Sequence, residues 1–360
     1  MKSIICFTES LGGGGAEHQM VLLAQFLLEE GYDVSIVTYA DVSDHYDISP
    51  SINRKRLAKG KSRFIKFISV FFFFLTIDAD CVISYRKMCN VRLLIPLLFR
   101  SKKIKVICSE RNTTFGKPDF TMRLLIHYLY NRSDYIVSNS FSQMRFILHE
   151  RPNLGPKLVT IHNYTDLQHY VPVHHPSTNE SMNFVIFARF SSQKNPLLFI
   201  EAMARLKDRT KIKFQVHWYG SKEDDPYYQI VKKSAEDLCV TDVFFMHPAV
   251  KDPFVLMSHF HAACLPSIYE GFSNSIAEAI CCGMPMLVSD VADNSIMVRD
   301  GVNGFLFDPN DIDSICNSFI NFINLSDSER SQFSVNSRSI AEELFDKRVF
   351  ITRYIKLIES

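Results

Sequence analysis

Short apolar runs alternate with longer helix-like patterns along almost the whole sequence, and this alternation limits the folds that are open to the chain. Several of the runs end in small or polar residues, as strands do where they leave a sheet. Strands that alternate with helices build parallel sheets, because parallel neighbours need a crossover connection that is usually a helix. The sequence therefore predicts an α/β fold of the doubly wound type.

The predicted strands fall into two series. The first series lies at residues 3–8, 34–39, 81–85, 105–109, 135–139 and 157–161. The second series lies at residues 183–188, 213–220, 243–248, 262–267 and 286–290. Residues 169–181 are rich in Pro, His and Ser and show no period, which is typical of a linker. We therefore predict two Rossmann-like domains, at residues 1–168 and 182–343, that face each other across a cleft.

Composition narrows the possible functions. The formal net charge of the 360 residues is +1 at pH 7, so no overall basic field favours nucleic acid as a partner. Residues 1–165 nevertheless hold 22 Lys and Arg against 14 Asp and Glu, which predicts an anionic partner or surface for this half. The nine cysteines include no C-x-x-C pair, so neither a zinc site nor a disulfide framework is indicated.

Two features of the sequence bear on location. The first apolar run meets a glycine cluster too soon for a signal peptide, so we expect a reduced, cytoplasmic setting. The most apolar stretch, at residues 67–77, is far shorter than the roughly 20 residues that span a bilayer. We therefore expect no transmembrane helix in this stretch.

The segment YEGFSNSIAEAICCGMP contains two carboxylates, Glu270 and Glu278. Glu270 follows a buried strand, where ligands bind in open α/β sheets, and Ser273 predicts the N-cap of a helix that carries Glu278. Carboxylates accept hydrogen bonds from sugar hydroxyls, and the backbone N–H groups of Phe272, Ser273 and Asn274 would form an anion-binding helix start. This predicts a ligand with hydroxyls and phosphate. The alternative is that Glu270 caps its own helix and Glu278 is solvated.

This segment resembles the E-x7-E signature of retaining glycosyltransferases of family 4, which have the GT-B fold. The resemblance includes Glu270-Gly271-Phe272, Asn274, Glu278-Ala279 and Gly283-x-Pro285, and it continues at Asp300-Gly301-x-Asn303-Gly304 and Asp311. It implies that Glu270 contacts the transferred sugar and that Glu278 contacts the nucleotide ribose. Ala292-Asp293 differs from the many members that have glycines beside the donor phosphates. The resemblance also implies that a final helix within residues 344–360 crosses back to the N-terminal domain.

A second segment, FARFSSQKNPLL, places Arg189 and Lys194 between a predicted strand and an amphipathic helix. It is similar to the family's G-R-x4-K segment, with Ala188 where glycine is usual. Two cations at a strand end can neutralise the charge that builds on a leaving diphosphate, so we predict catalytic roles for both, together with Glu270. A pair of solvated cations is the alternative.

A third segment, SLGGGGAEHQ, leads from the first strand into a helix. Glycines let the backbone approach a phosphate or sugar closely, which predicts donor-binding roles for Gly13, Gly14 and Gly15. Glu17 stands where the fingerprint G-x-G-x-x-G needs its last glycine, which disfavours a dehydrogenase. The segment resembles the family's Gly-Gly-Ala-Glu element, which in relatives lies across the cleft from the donor phosphates.

The acceptor side is predicted from VICSERNTTFG, where Glu110, Arg111 and Asn112 end another strand. They resemble the S-E-R/H-N element of bacterial transferases that act on lipid-linked sugars. Glu17 is assigned to the same side.

Seven cations precede a band of aromatic residues in RKRLAKGKSRFIKFISVFFFF. Basic and bulky apolar side chains together are what an interfacial membrane helix requires, and each cation near an anionic surface contributes about 1 kcal/mol. We predict a membrane face here; a core helix with a solvated basic start is the alternative. The cations are Arg54, Lys55, Arg56, Lys59, Lys61, Arg63 and Lys66.

Together these features predict a retaining glycosyltransferase that moves a hexose or N-acetylhexosamine from a nucleotide sugar to a lipid-linked glycan in polysaccharide, lipopolysaccharide or O-antigen assembly. The expected partners are a UDP-sugar, a polyprenyl-diphosphate-linked glycan and the inner face of the cytoplasmic membrane, to which the protein would bind peripherally. We expect no cofactor and no metal, because Arg189, Lys194 and the helix amides take the role of a divalent ion. The alternatives are a sugar-nucleotide epimerase of the GT-B type and a non-catalytic membrane scaffold of the same fold.

Overall fold

The computed structural model describes the chain except residues 13, 59–61, 112–124, 127, 175, 177–180 and 222–223, and it describes residue 221 by its backbone. The described chain divides into two compact units. The N-terminal unit comprises Met1–Tyr164 and Lys347–Ser360, and the C-terminal unit comprises Thr165–Asp346.

The predicted linker is corrected by these boundaries, because its described residues belong to the C-terminal unit. The N–H group of Val173 donates to the Cys282 carbonyl at 3.1 Å, and Arg338 Nη1 donates to the Tyr170 carbonyl at 2.8 Å. These bonds hold the segment against the C-terminal unit. The boundary between the two units therefore lies earlier, between Tyr164 and Thr165.

A parallel sheet forms the centre of the N-terminal unit. Its strands in the described residues are Ser3–Thr8 (β1), Asp33–Thr38 (β2), Asn53–Arg56 (β3), Cys81–Tyr85 (β4), Lys105–Glu110 (β5), Tyr135–Ser138 (β6) and Leu158–Thr160 (β7). The order across the sheet is β3-β2-β1-β4-β5-β6-β7. The direction of winding therefore reverses between β1 and β4, and the carboxyl ends of these two strands form a topological switch point.

Helices cover both faces of this sheet. Those with described bounds are Gly15–Glu29 (α1), Arg63–Thr76 (α2), Lys87–Leu97 (α3) and Phe141–Glu150 (α4), with a 3-10 helix at Pro152–Lys157. Two apolar clusters, one on each side, bury alternate residues of the strands, for example Ile4 and Cys6 on one side and Ile5 and Phe7 on the other. Strands buried on both faces read as continuous apolar runs, which is the pattern that the sequence showed.

The C-terminal unit has a parallel sheet of its own. Its strands in the described residues are Ser181–Phe187 (β8), Lys213–Ser221 (β9), Phe244–Pro248 (β10), Ala262–Leu265 (β11), Met286–Ser289 (β12) and Gly304–Phe307 (β13). The order is β10-β9-β8-β11-β12-β13, which places the switch point between β8 and β11. The helices are Pro196–Arg209 (α5), Pro226–Asp237 (α6), Phe254–Met257 (α7), Asn274–Cys281 (α8), Asn294–Met297 (α9), Ile312–Ile323 (α10) and Asp327–Leu344 (α11).

Every predicted strand is present, with ends within two residues of the prediction, and the predicted α/β fold is confirmed. Strands β3 and β13 were not predicted. The sequence of β3 is NRKR, which has no apolar pattern, and β3 is an edge strand that pairs in parallel with β2. Strand β13 has four residues and follows a turn at Gly301, where φ is +69°. Both omissions lie at sheet edges, but β3 is polar in sequence whereas β13 is short and apolar.

The last helix, Lys347–Glu359 (α12), belongs to the N-terminal unit. Its buried face joins the core on the α1 side of the sheet and consists of Phe350, Ile351, Tyr354, Leu357 and Ile358. At its end the Tyr32 hydroxyl donates to Glu359 Oε1 at 2.9 Å. The chain therefore completes its first core with its last residues.

Within the described ranges, none of the helices combines the length and the apolar character needed to cross a membrane.

Candidate active site

The loops that follow β8 and β11 meet at the switch point of the C-terminal sheet. The N–H group of Ile268 donates to the Gln193 carbonyl at 2.9 Å, and Gln193 Nε2 donates to the Tyr269 carbonyl at 3.0 Å. Two segments that are about 75 residues apart in sequence are thereby joined, because β8 and β11 are parallel neighbours. We call the residues of these two loops, 188–195 and 266–273, the switch-point site.

Glu270 and Lys194 form an ion pair across the two loops. The Glu270 side chain is 8% exposed and the Lys194 side chain is 17% exposed. Ser267 Oγ donates to the same carboxylate oxygen, Oε1, at 2.6 Å. Two of the three predicted catalytic residues are therefore in contact, and Ser267 is a partner that sequence analysis missed. Its only sequence signal is that it is a polar residue just after a strand.

The backbone around Lys194 is fixed on both sides. A 3-10 helix at Ser192–Lys194 ends at Asn195, which has φ of +57° and is buried. Asn195 Nδ2 donates to the Pro309 carbonyl at 2.7 Å, and Pro196 opens α5. A non-glycine residue in the left-handed region costs energy, so these contacts must hold it there. They determine the direction in which Lys194 leaves the loop.

Arg189, the third predicted catalytic residue, leaves the same loop with an exposed side chain. Its backbone is anchored through Ala188, whose carbonyl accepts a hydrogen bond from Trp218 Nε1 at 2.6 Å. A Cβ atom on Gly220 would lie 2.2 Å from this carbonyl oxygen, so β9 can approach only because residue 220 is glycine. The guanidinium is thus exposed, on a backbone that Trp218 and β9 hold in place.

Glu278 has a different environment from that of Glu270. It lies on α8, and its neighbours include the Tyr170 hydroxyl and the Asp252 carboxylate. Desolvation by burial, followed by the charge of Asp252, raises the pKa of Glu278 to about 8, and the hydrogen bond with Tyr170 partly offsets the rise. Glu278 is part-exposed, and its surroundings shield its carboxyl group enough from water to raise its pKa. Glu270 faces a cation and Glu278 faces an acid, so the two carboxyl groups suit different tasks.

The predicted helix start between them is present. Ser273 is the N-cap of α8, and its Oγ accepts a hydrogen bond from the Ile276 N–H group at 3.5 Å. The Phe272 side chain is buried and packs edge-on against Phe345, with the ring centroids 6.1 Å apart. Phe272 can therefore contact a ligand through its backbone, while Ser273 and Asn274 begin the positive end of the helix dipole.

The departure from the family pattern at Ala292 and the resemblance at residues 300–304 both have a structural explanation. Ala292 has φ of +53°, a conformation that favours the glycine found in many relatives of the family. Asn303 Oδ1 accepts from the Arg299 N–H group at 2.7 Å, and a Cβ atom on Gly304 would lie 2.1 Å from the Met286 carbonyl oxygen. This motif therefore shapes the turn into β13.

A solvent-open cavity of about 610 Å³ lies beside Ile268 in the C-terminal unit. Asp290, Asp300 and Asp308 line it, so its potential is unfavourable for a phosphate. The cations of the switch-point site, and not this cavity, match the charge of a diphosphate.

The predicted residues near the amino terminus surround a second switch point, in the N-terminal unit. Gly14 is the N-cap of α1 and Gly15 is its first residue, while Gly13 lies outside the described residues. A Cβ atom on Gly14 would lie 2.3 Å from Glu17 Oε2. Glu17 is 3% exposed and is 2.6 Å from Arg86 Nη2, and Arg86 has φ of +80°. Arg86 is a further residue that sequence analysis missed as a partner of this loop.

This ion pair gives Glu17 a role other than the predicted contact with an acceptor. The carboxylate lies under the glycine loop and is held by a guanidinium from the end of β4. A residue with φ near +80° is strained unless its surroundings fix it, and strain of this kind is found at ligand-binding sites. The pair therefore sets the shape of the Gly14–Gly15 backbone.

Glu110 and Arg111 lie in the interior of the N-terminal unit, each 5% exposed. The Tyr130 hydroxyl donates to Glu110, and burial raises the pKa of that carboxyl group. Arg111 donates to Asn163 Oδ1 at 2.6 Å and to the Tyr354 hydroxyl on α12 at 2.7 Å. These contacts give both side chains a structural role in place of the predicted acceptor surface. Asn112 lies outside the described residues.

The first three cations of the predicted membrane face lie in the unpredicted strand β3, where Lys55 and Arg56 are exposed. Arg54 Nη2 and Arg56 Nη2 lie 2.9 and 3.0 Å from the Asp44 carboxylate. The Lys55 ammonium lies 4.8 Å from the centre of the Phe73 ring. Lys59 and Lys61 lie outside the described residues, whereas Arg63 and Lys66 lie on α2.

Comparison with known proteins agrees with this geometry. Residues 174–340 match the family described as "Glycosyl transferases group 1". A relative from Campylobacter jejuni subsp. jejuni serotype O:2 is 24% identical over 306 residues, 81% of each chain, and is called "N-acetylgalactosamine-N,N'-diacetylbacillosaminyl-diphospho-undecaprenol 4-alpha-N-acetylgalactosaminyltransferase". An Escherichia coli relative, "UDP-Gal:alpha-D-GlcNAc-diphosphoundecaprenol alpha-1,3-galactosyltransferase", is 27% identical over 46% of this chain and 44% of its own.

Solved structures show the same fold. Anabaena HepE in complex with UDP and glucose superposes with a TM-score of 0.82 over the full length of both chains, at 17% identity. The two parallel sheets and their helices are those of GT-B glycosyltransferases. The chain therefore has the GT-B fold, and its residues 174–340 are similar to the glycosyl transferases group 1 family.

Proposed function

We propose that the protein is a retaining glycosyltransferase of family 4 that transfers a hexose or N-acetylhexosamine from a UDP-sugar to a polyprenyl-diphosphate-linked glycan. The observation that carries this proposal is the buried ion pair of Glu270 and Lys194, which joins the loops after β8 and β11 at the switch point of the C-terminal sheet. A carboxylate and an ammonium at such a point match the hydroxyls and the phosphates of a nucleotide sugar.

The donor is assigned from the chemistry of the switch-point site. Lys194 and the exposed Arg189 would bind the diphosphate, while Glu270 would accept hydrogen bonds from sugar hydroxyls and Glu278 from the ribose. The name of the Escherichia coli relative gives UDP-Gal as its donor, and the Anabaena structure contains UDP and glucose. These likenesses support uridine as the base and a hexose as the sugar.

The stereochemical course follows from the donor and the relatives' products. UDP-hexoses are α-linked, and the names of both relatives describe an α-linked product. We therefore propose retention. The bond between C1 and the diphosphate oxygen breaks, the acceptor oxygen bonds to C1 on the same face, and the acceptor proton passes to the departing diphosphate.

Charge on the leaving diphosphate is the main electrostatic problem of this reaction. Lys194 is fixed by Asn195 and Pro196, and the amino end of α8 adds a positive dipole from the other loop. Preorganised positive groups stabilise developing negative charge without reorganisation. We propose that they act without a divalent ion.

The acceptor is assigned from the relatives, whose names give undecaprenol-diphosphate-linked sugars. Such a lipid is confined to a membrane, so the reaction would take place at the membrane surface. Nucleotide sugars are made in the cytoplasm, which favours the inner face.

A panel of radiolabelled UDP-sugars, incubated with the purified protein and bacterial membranes in the presence of EDTA, tests this proposal. We expect one sugar to label the lipid extract and an α-glycosidase to release the label. Conversion of the UDP-sugar without membranes would indicate an epimerase instead. Failure of every UDP-sugar to bind or to label lipid would indicate a scaffold and overturn the proposal.

A further inference from the structure

Helix α2, all of whose residues are described, has an apolar side that faces solvent. Its buried side chains are Val70 and Phe74. Phe64 is 72% exposed, Ile65 is 53% exposed and Phe72 is 57% exposed. A helix of a globular protein normally presents polar residues on the side opposite its core contacts. Helix α2 is apolar on both sides.

The exposed residues form a continuous stripe. Phe64, Ile68 and Phe72 follow one another at intervals of four, which places them one above another along the helix. Phe99, 70% exposed, extends the stripe from the chain that follows α3, because its ring lies 5.9 Å from that of Phe71. The apolar ridge is defined as Phe64, Ile65, Ile68, Phe72 and Phe99.

Cations border the apolar ridge. Residues 62–105, all of which the structure describes, contain nine Lys and Arg and two Asp and Glu. Arg63 and Lys66 lie on α2 itself, and Arg100 Nη1 lies against the carboxyl end of α2, donating to the Phe74 and Leu75 carbonyls at 3.3 and 3.2 Å. The Lys103 side chain, a few residues beyond Phe99, is 89% exposed, and its ammonium lies 3.8 Å from Asp134 Oδ1.

Acids in and around this segment pair with some of its cations, among them Lys102 and Lys103. Asp78 forms an ion pair with Lys102, and Asp80 Oδ2 accepts a hydrogen bond from the Ser3 N–H group. The remaining positive charge would repel a second copy of the same face, which a twofold dimer would require. It would attract an anionic surface.

We propose that the apolar ridge is a membrane-docking surface that inserts its side chains among the headgroups of an anionic lipid bilayer. Arg63, Lys66 and Lys103 would meet the lipid phosphates while Phe64 and Phe72 lie in the interfacial layer, an arrangement known for amphipathic interfacial helices. Docking deepens the proposed function, on which it rests for the lipid-linked acceptor. Vesicle binding itself needs no donor.

Co-sedimentation of the full chain with vesicles tests this proposal. The vesicles are pure phosphatidylcholine, or phosphatidylcholine with about one third phosphatidylglycerol. We expect wild type to bind the anionic vesicles at least tenfold more tightly, and this binding to weaken between 50 and 500 mM NaCl because salt screens the cations. Equal binding to both vesicles, or to neither, would overturn the proposal.

The decisive variant is Phe64→Ser with Phe72→Ser, which removes apolar area without changing charge. Its matched control is Ile230→Ser with Val335→Ser, two side chains of the C-terminal unit that are 52% and 62% exposed. We expect the first variant to bind anionic vesicles at least tenfold more weakly, and the control to bind as wild type does. Unchanged binding by the first variant would contradict the proposal. The proposal would also be contradicted if wild type formed a dimer that the Phe64→Ser and Phe72→Ser substitutions dissociate, because the ridge would then bind a second copy.

UDP binding, measured on the same samples, separates this proposal from the proposed function. Both variants are expected to bind UDP with wild-type affinity and to melt within a few degrees of wild type, since the substituted side chains are exposed. Wild type that binds vesicles but not UDP would refute the transferase and leave the docking surface standing. Wild type that binds UDP but not vesicles would refute the docking surface and leave the transferase standing.

Discussion

The Lys194–Glu270 pair is an unfavourable way to stabilise a fold. Both groups lose water when they are buried, and the attraction between them often does no more than offset that loss. Ser267 adds a hydrogen bond to the same carboxylate, so three side chains are ordered around one oxygen atom. An arrangement that contributes little to stability but is held at the carboxyl ends of two strands points to ligand binding.

We predict that Glu270→Gln lowers the rate of transfer at saturating donor by a factor of about 10²–10³, because one preorganised charge at the reacting sugar is lost. Glu201→Gln, an exposed carboxylate on α5, is the matched control and should retain full activity. Initial rates of label transfer measure both. A Glu270→Gln rate within threefold of wild type would exclude Glu270 from the reaction.

Glu278 should make the stability of the C-terminal unit depend on pH. Its pKa is about 8 in the folded protein and 4.5 in a free chain, so between these values the folded state binds more protons than the unfolded state. Stability then falls as pH rises from 4.5 through 8. Glu278→Gln cannot ionise, so it should melt with wild type at pH 4.5 and above wild type at pH 8.5.

Thermal unfolding of both proteins across this pH range measures the effect. A net difference of about 1 kcal/mol corresponds to about 2–4 °C for a unit of this size. The Tm of Glu278→Gln should rise above the Tm of wild type by this amount progressively as the pH increases to 8.5. A constant difference in Tm at all pH values would show that Glu278 has an ordinary pKa.

For individual residues, the sequence could predict which side chains lie at strand ends but not which side chains they contact. Glu270 and Lys194 were predicted because each follows an apolar run by a few residues. The contact of Glu17 with Arg86 could not be predicted, because the order of strands brings β1 and β4 together across 72 intervening residues. Side-chain partners depend on sheet order, which a single sequence does not state.

Among the elements, α12 shows how a helix can be fixed by buried polar groups. The Tyr354 hydroxyl accepts a hydrogen bond from Arg111 Nη2 and lies 3.0 Å from the Tyr85 hydroxyl. The Arg111 guanidinium also lies 3.8 Å from the centre of the Tyr85 ring. Helix α12 is therefore tied to β4 and to the end of β5 by one hydroxyl group.

We predict that Tyr354→Phe destabilises the N-terminal unit by about 1–3 kcal/mol, because it leaves a buried guanidinium with one partner fewer. Tyr128→Phe removes a hydroxyl from a side chain that is 60% exposed, and it should change stability by less than about 0.5 kcal/mol. Urea unfolding of both variants gives the two values. Equal stability of the two variants would show that the Arg111 contact contributes nothing.

Edge strands mark the limit of prediction at the scale of elements. Central strands such as β1 and β4 are apolar on both faces and were found from sequence to within a residue. The edge strand β3 carries Arg54 and Arg56, which share the single Asp44 carboxylate. Its polar sequence suited a solvated basic segment equally well, so the pattern could not distinguish the two.

For the whole molecule, the assignment of α12 to the N-terminal unit means that the first core is incomplete without the last 14 residues. Burial of an apolar side chain contributes about 1.5–3 kcal/mol, so the five buried side chains of α12 contribute about 7–15 kcal/mol. That range equals the stability of a typical domain. We predict that a chain ending at residue 346 cannot fold its N-terminal unit.

Limited proteolysis measures this directly. In the truncated chain, peptides from residues 1–164 should disappear quickly while residues 165–346 persist, because the C-terminal unit keeps its own core. The full chain should protect both regions. Equal protection of residues 1–164 in the two proteins would contradict the prediction.

The fold of the whole molecule could be predicted from the sequence because it depends on repeated local patterns. Two series of strands and helices gave two Rossmann-like units, and the E-x7-E resemblance gave the GT-B fold. The exact boundary between the two units, after Tyr164, could not be predicted from the sequence. The segment that follows it packs through backbone groups such as the Tyr170 carbonyl. Such contacts leave no pattern in the side chains.

Calorimetric titration of UDP in EDTA tests the central claim, that the cations of the switch-point site bind a nucleotide diphosphate without a metal. Wild type should bind UDP, and Arg189→Ala with Lys194→Ala should bind it at least tenfold more weakly. The control, Lys232→Ala with Lys233→Ala, removes two exposed cations of α6 and should bind as wild type does. Equal affinity of all three proteins, or wild-type binding that requires an added divalent ion, would contradict the account.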